Sequence, residues 1–221
     1  MSEVVTPEEH PVTAMVIHWV HLISMFILIF TGFYIHYPFF AGAMGAMQQW
    51  HFVAMWVFIC TTIVRIYWAF FGAGSANGGS RVKIRDSKHF LPEKTNKGEF
   101  LPTLKYYLFL SKSHTSPAKY NSMQKMAYNV IPLLVLIQAL TGFALYQPFA
   151  AFFAPMTAFL GGLAQVRMYH YLIMYVFIVF LMVHIYLSAV EEPQEFPAMF
   201  WGVRDPNKKP AKEAPETGSA A

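Results

Sequence analysis

The chain has 221 residues, of which 56% are hydrophobic and only 13% charged, with a formal net charge of +4. A soluble domain carries about 25% charged residues, so this composition excludes a water-facing globule and points to apolar surface hidden in lipid. The one cysteine, Cys60, excludes a disulfide framework, a cysteine-based zinc site and iron–sulfur ligation within the chain.

The N-terminal stretch MSEVVTPEEHP is acidic, lacks a basic n-region and does not read as a signal peptide. A membrane-crossing helix needs roughly 20 mostly apolar residues, and four segments qualify: 12–36, 49–71, 126–147 and 167–190. Pro38, Pro148 and Pro193 follow the first, third and fourth of them, as helix stops do. Pro132 lies inside the third and predicts a kink that membrane helices tolerate. The reading is an all-α membrane protein: a four-helix transmembrane bundle of two tandem helix pairs, covering 12–206. A disordered tail, rich in Lys, Pro, Ala and Glu, is expected over 207–221.

Orientation follows from the loops. Segments 37–48 and 148–166 contain no Lys or Arg, whereas 73–121 contains Arg81, Lys83, Arg85, Lys88, Lys94, Lys97, Lys105, Lys112 and Lys119, and the tail adds Arg204, Lys208, Lys209 and Lys212. Cytoplasmic loops carry the positive excess, so both termini and the long loop are expected in the cytoplasm. Within that loop GAGSANGGS reads as flexible, and FLPTLKYYLFLSK reads as a helix lying in the membrane interface.

The two halves repeat. TGFYIHYPF (31–39) returns as TGFALYQPF (141–149), and WHFVAMWVFICTTIVRIY (50–67) as YHYLIMYVFIVFLMVHIY (169–186). His51 aligns with His170, Met55 with Met174 and Arg65 with His184. Membrane helices share a small alphabet, but coincident polar residues argue against chance. Two halves running in the same direction are related by an axis along the membrane normal, which sets His51 and His170 face to face at one depth.

Of nine histidines, five lie in the spans: His18, His21, His51, His170 and His184. Ionisable groups within a bilayer are costly and suggest function. His170 and His184 are 14 residues apart in the sequence, about 21 Å of helix and nearly four turns, so they project from one face. Depth then pairs His51 with His170 toward the outside and His18, or alternatively His21, with His184 toward the inside. Each pair offers two neutral imidazole nitrogens, as bis-histidine haem iron requires. With no Cys-x-x-Cys-His run, such haem is not covalently attached. Gly32 and Gly142 leave room for a flat macrocycle, or for close helix packing. Arg65 and Arg167 are candidate partners for haem propionates, with snorkelling to headgroups the competing role.

On these residues the chain resembles the b-type cytochrome subunit of membrane-bound nickel–iron hydrogenases. The resemblance covers 12–206 and is carried by His18-Trp19, TGFYI (31–35), RIYWAFFG (65–72), YYLFL (106–110), YNSMQ (120–124), TGFALY (141–146), MYHYLIMY (168–175), HIYLSAVEE (184–192) and MFWGVRD (199–205). YYLFL before the third span favours this family over the related gamma subunits of formate dehydrogenases. The resemblance implies two haems b held by the first, second and fourth spans, with His18 rather than His21 as the first-span ligand. It implies hydrogenase small and large subunits on the outer face, a multimeric complex in the bacterial inner membrane, and electrons passing inward to menaquinone or ubiquinone. Asn121, Gln124 and Tyr128 become candidates for the quinone pocket, although Tyr120 stands where many relatives carry His. Hydrogen chemistry itself is not expected of this chain, and nothing points to nucleic acid. Other readings are the membrane subunit of a formate dehydrogenase or thiosulfate reductase, a standalone b561-type quinone oxidoreductase, and a haem-free anchor. The five span histidines weigh against the anchor. The absence of acidic residues from the spans weighs against a transporter.

Overall fold

The computed structural model describes residues 8–9, 12–71, 73–75, 83–85, 98–108, 110–111, 122–190, 199–201 and 203–204. The tail 207–221 lies outside the described residues. Four helices are long and apolar enough to cross a membrane: α1 (Val12–His36), α2 (Met44–Phe71), α4 (Ser122–Leu145) and α6 (Leu163–Val190). Between α2 and α4 lies the short α3 (Phe100–Tyr107), on the segment expected to form an interfacial helix. Between α4 and α6 come a 3-10 turn (Gln147–Phe149) and α5 (Ala154–Phe159).

The first span matches the sequence expectation at both ends. The other three helices begin four or five residues before the expected spans, at Met44, Ser122 and Leu163. Hydropathy marks the lipid-facing stretch, whereas the hydrogen-bonded helix runs on past it into less apolar residues such as Gln48 and Gln165. Pro132 is accommodated inside α4. Gly161 and Gly162, at φ 94° and 99°, make the reversal that launches α6. Two consecutive residues in the left-handed region are readily adopted only by glycine.

Only 11–17% of each apolar window is buried within the chain. Phe26, Phe30, Leu133, Leu136, Val179 and Met182 present their side chains outward, as lipid-facing residues do. The buried positions include small or polar residues, Ser24, Thr31, Ala54, Thr141 and Ala144, beside larger apolar ones such as Met55, Phe58, Met174 and Phe177. Ser24 and Thr141 donate to carbonyls one turn back, Val20 O at 2.7 Å and Ile137 O at 2.9 Å, so their hydroxyls are satisfied without water.

The chain divides into two compact units. One comprises Thr13–Ile66 and Ile131–Tyr186 and holds most of the four long helices. Within it, side-chain contacts close a ring of helices. Thr31 meets His51 between α1 and α2, Phe52 meets Tyr146 between α2 and α4, Gln138 meets His170 between α4 and α6, and Phe33 meets Tyr175 between α1 and α6. Tyr34, 1% exposed, donates from its hydroxyl to Phe40 O at 2.5 Å and so fixes the turn after α1.

The other unit comprises Met1–Val12, Tyr67–Val130 and Leu187–Ala221. It contains two short antiparallel ladders that the all-helical expectation did not include. β2 (Ala73–Ser75) pairs with β3 (Lys83–Arg85), so part of the stretch expected to be flexible is a strand. β1 (Glu8–Glu9) pairs with β4 (Val203–Arg204), Glu8 opposite Arg204. That pairing joins the segment before the first span to the segment after the last, which requires an even number of crossings. A reporter fused after Ala221 is therefore expected to read on the same side as one fused before Val12, and on the cytoplasmic side by the lysine and arginine count. A fluorescent and a phosphatase fusion at each end measure this, and a split result overturns the topology.

Candidate functional site

The site grows from the repeated Thr-Gly dipeptides. Thr31 and Gly32 face His51, and Thr141 and Gly142 face His170. Thr31 Oγ1 lies 2.8 Å from His51 Nδ1, and Thr141 Oγ1 lies 3.0 Å from His170 Nδ1. The adjacent glycines give the rings space. A Cβ at Gly142 would stand 3.1 Å from His170 Cε1, and one at Gly32 would stand 3.7 Å from His51 Cε1 and 3.3 Å from Met174 Sδ. The sequence left two roles open for these glycines, and what approaches them here is an imidazole edge. Each helix pair thus orients its own histidine by the same device.

Across the pair, the His51 and His170 ring centroids are 6.4 Å apart. The His18 and His184 centroids are also 6.4 Å apart. A metal held between two imidazoles at about 2.0–2.1 Å per bond, with ~1.1 Å from each nitrogen to its ring centre, spans ~6.3 Å. Both separations therefore fit one iron with two axial imidazoles. Among the described residues no group of three or more His, Cys, Asp or Glu could hold a metal ion. Two ligands alone do not hold an ion, and a macrocycle would supply the other donors. His18 Nδ1 is buried with no hydrogen-bond partner. Such an atom costs about 1–3 kcal/mol when left unmet, and an axial ligand bond is one way to meet it.

The two pairs differ in enclosure. His51 and His170 are both half-buried, while His184 is exposed along α6 and stacks with Phe180 at 6.0 Å. His21 takes a different part. Its Nε2 lies 3.1 Å from Thr62 Oγ1, and Thr62 donates its hydroxyl hydrogen to Phe58 O at 2.7 Å. The Nε2–H must then donate to Thr62, which makes His21 a tie between α1 and α2. Its ring also packs on Phe58 at 4.1 Å.

The remaining candidates are spread out. Arg65 is half-buried on α2 and within electrostatic reach of His21. Arg167 is exposed in the first turns of α6, three residues before His170. Gln124 and Tyr128 stand four apart on one face of α4, and Asn121 lies outside the described residues. Sequence reasoning missed Thr31, Thr141 and Gln138. The Thr-Gly repeat carried the signal for the threonines, because Thr recurs in register with the glycine. Gln138 donates from Nε2 to His170 O at 3.1 Å and sits 3.3 Å from His170 Nε2. Its repeat counterpart is Leu28, so no repeat could have flagged it.

Residues 9–202 match the family model described as prokaryotic cytochrome b561. A protein of Azospira oryzae, named as a protein-methionine-sulfoxide reductase subunit, YedZ1, is 26% identical over 87% of this chain and 96% of its own length. One of Rhizobium leguminosarum bv. viciae, named as a Ni/Fe-hydrogenase B-type cytochrome subunit, is 28% identical over 79% of this chain and 77% of its own. One of Bradyrhizobium diazoefficiens with the same name is 30% identical over 79% and 74%.

Gly142→Ala brings a methyl group against the His170 ring, which cannot retreat without leaving Thr141. The expected outcome is about 10-fold weaker metal-centre retention at this pair, read as cofactor per chain after purification. Gly32→Ala is expected to cost less, because Met174 Sδ belongs to a flexible side chain that can give way.

Proposed function

Because the chain belongs to the prokaryotic cytochrome b561 family, we propose that it is the di-haem membrane subunit of a nickel–iron hydrogenase, passing electrons from the hydrogenase small subunit across the membrane to a quinone. It is a multi-pass protein of the bacterial inner membrane with a redox, electron-carrying role. The observation that carries the finer reading is the pair of equal His–His separations, each 6.4 Å, on four helices that share one bundle. Haem, when bound, supplies a one-electron carrier whose potential is set by its ligands and their hydrogen bonds.

The chain's own residues do the rest. His51 and His170 offer axial nitrogens on the outer side, held by Thr31 and Thr141. His18 and His184 offer them on the inner side, and the 6.4 Å between their rings supports His18 as the first-span ligand. The two levels are separated by the 14 residues from His170 to His184 on α6, about 21 Å of helix. The apolar faces of α1, α2, α4 and α6 keep water away from the path. Arg167 at the outer start of α6 and Arg65 on α2 are the cations available to propionates. Gln124 and Tyr128 at the start of α4, with Asn121 preceding it in the sequence, are the candidates to hydrogen-bond a quinone carbonyl, menaquinone or ubiquinone. The relatives named as Ni/Fe-hydrogenase subunits support hydrogenase small and large subunits as the partners.

A second reading has its own support. This chain spans 96% of the length of the protein named as a methionine-sulfoxide reductase subunit, against 77% and 74% of the two hydrogenase subunits. In that case the helices and haems are the same and the soluble partner differs. The partner that co-purifies with the tagged chain separates the two readings.

Wild-type protein is expected to contain two haems b per chain, and His170→Ala one, with the inner centre spared. Retention of both in that variant breaks the pairing. His184→Ala is expected to abolish quinone reduction while hydrogen-dependent reduction of an artificial dye on the outer side persists. Loss of both activities removes the inward path.

A further inference from the structure

The two threonines do more than fill space, and their hydrogens can be counted. Thr31 Oγ1 stands 2.6 Å from Ile27 O and 3.3 Å from Leu28 O. Thr141 Oγ1 stands 2.9 Å from Ile137 O and 3.0 Å from Gln138 O. Carbonyl oxygens only accept, and a hydroxyl has one hydrogen. Each threonine therefore donates into its own helix, and the contact to the histidine must run the other way. His51 Nδ1–H donates to Thr31, and His170 Nδ1–H donates to Thr141. At His170 a second contact agrees. The Gln138 amide nitrogen, which only donates, sits 3.3 Å from His170 Nε2, so Nε2 carries a lone pair and no proton, and iron would take the place of this contact while Gln138 keeps its bond to His170 O.

We propose that Thr31 and Thr141 are positioning residues that fix the tautomer of His51 and His170, presenting both Nε2 lone pairs to the outer haem and lowering its reduction potential. This rests on the di-haem reading above. An N–H given to an acceptor raises the basicity of the opposite nitrogen, and a more basic ligand favours the ferric over the ferrous state. The device sits twice on one centre, once from each half of the repeat. At the inner level His18 Nδ1 is buried with no hydrogen-bond partner, so His18 lacks this lock. A lower outer potential would favour transfer of an electron from an outer haem held by His51 and His170 to an inner one held by His18 and His184, with no bond made or broken.

The decisive experiment uses the purified full chain with its haems. Thr31→Val and Thr141→Val remove the acceptor at nearly constant shape, and Thr31→Ser and Thr141→Ser restore it. Ser24→Ala removes a back-bond of the same kind, to Val20 O, from a residue that touches no histidine in this way. Haem per chain, an equilibrium redox titration and the ferric low-spin paramagnetic resonance spectrum are read for each. The valine variants are expected to hold two haems, with the reduced-to-oxidised ratio of one raised about tenfold at the wild-type midpoint, a rise of ~59 mV for one electron. The serine variants and Ser24→Ala are expected to titrate as wild type. Loss of one haem in a valine variant but not in its serine counterpart also supports the lock, through affinity. Valine variants with wild-type titration and resonance, or serine variants that shift as far as valine, overturn it while leaving the two haems in place. Wild-type chain with no haem sinks the di-haem reading itself, and the threonine role with it.

Discussion

An imidazole inside a hydrocarbon layer must find partners for both of its nitrogens or bear the desolvation cost. Much of this bundle follows from that requirement. The hydroxyls that meet it come from Thr31, Thr141 and Thr62, each already bonded to its own helix and so free only to accept. A bundle whose outer surface is Phe, Leu, Val and Met has no water to offer in their place. The hydrogen bonds therefore select which helix faces meet, and they do so between α1 and α2 at two levels and between α4 and α6 at one.

Duplication explains the outer level and fails at the inner one. Thr31, Gly32 and His51 in the first half correspond to Thr141, Gly142 and His170 in the second, and the two sets meet across a 6.4 Å gap between rings. At the inner level the partners are His18 and His184, which are not repeat-related, since the residue aligned with His184 is Arg65. The His51–His170 pair is in consequence repeat-related and half-buried, and the His18–His184 pair is unrelated by the repeat and exposed at His184.

The soluble partner is a separate matter from the electron path. The paired histidines lie within the helices, while relatives of the chain carry names from two different enzymes. The segments between α2 and α4 and after α6, which carry the charge, differ most in character from the apolar spans.

Composition, hydropathy and the proline stops were enough to determine the four spans, because lipid imposes a length and an apolarity that few other environments require. The repeat and the histidine spacing were enough to identify His51 with His170 and His184 with an inner partner, because helical rise converts sequence distance into depth. Three things were not legible. Three helix starts ran ahead of the hydropathy edges, since hydrogen bonding does not stop where lipid does. The short β1–β4 and β2–β3 ladders left no periodic signal over two or three residues. The choice between His18 and His21 was closed by spacing to neither, for both lie within one turn of the right depth. Only the tertiary structure set His21 against Thr62 and His18 against His184, and only there did Thr31 and Thr141 acquire a direction to their hydrogen bonds. A sequence states which donors and acceptors exist, but which of them are already spent is decided by what the folded helices bring within reach.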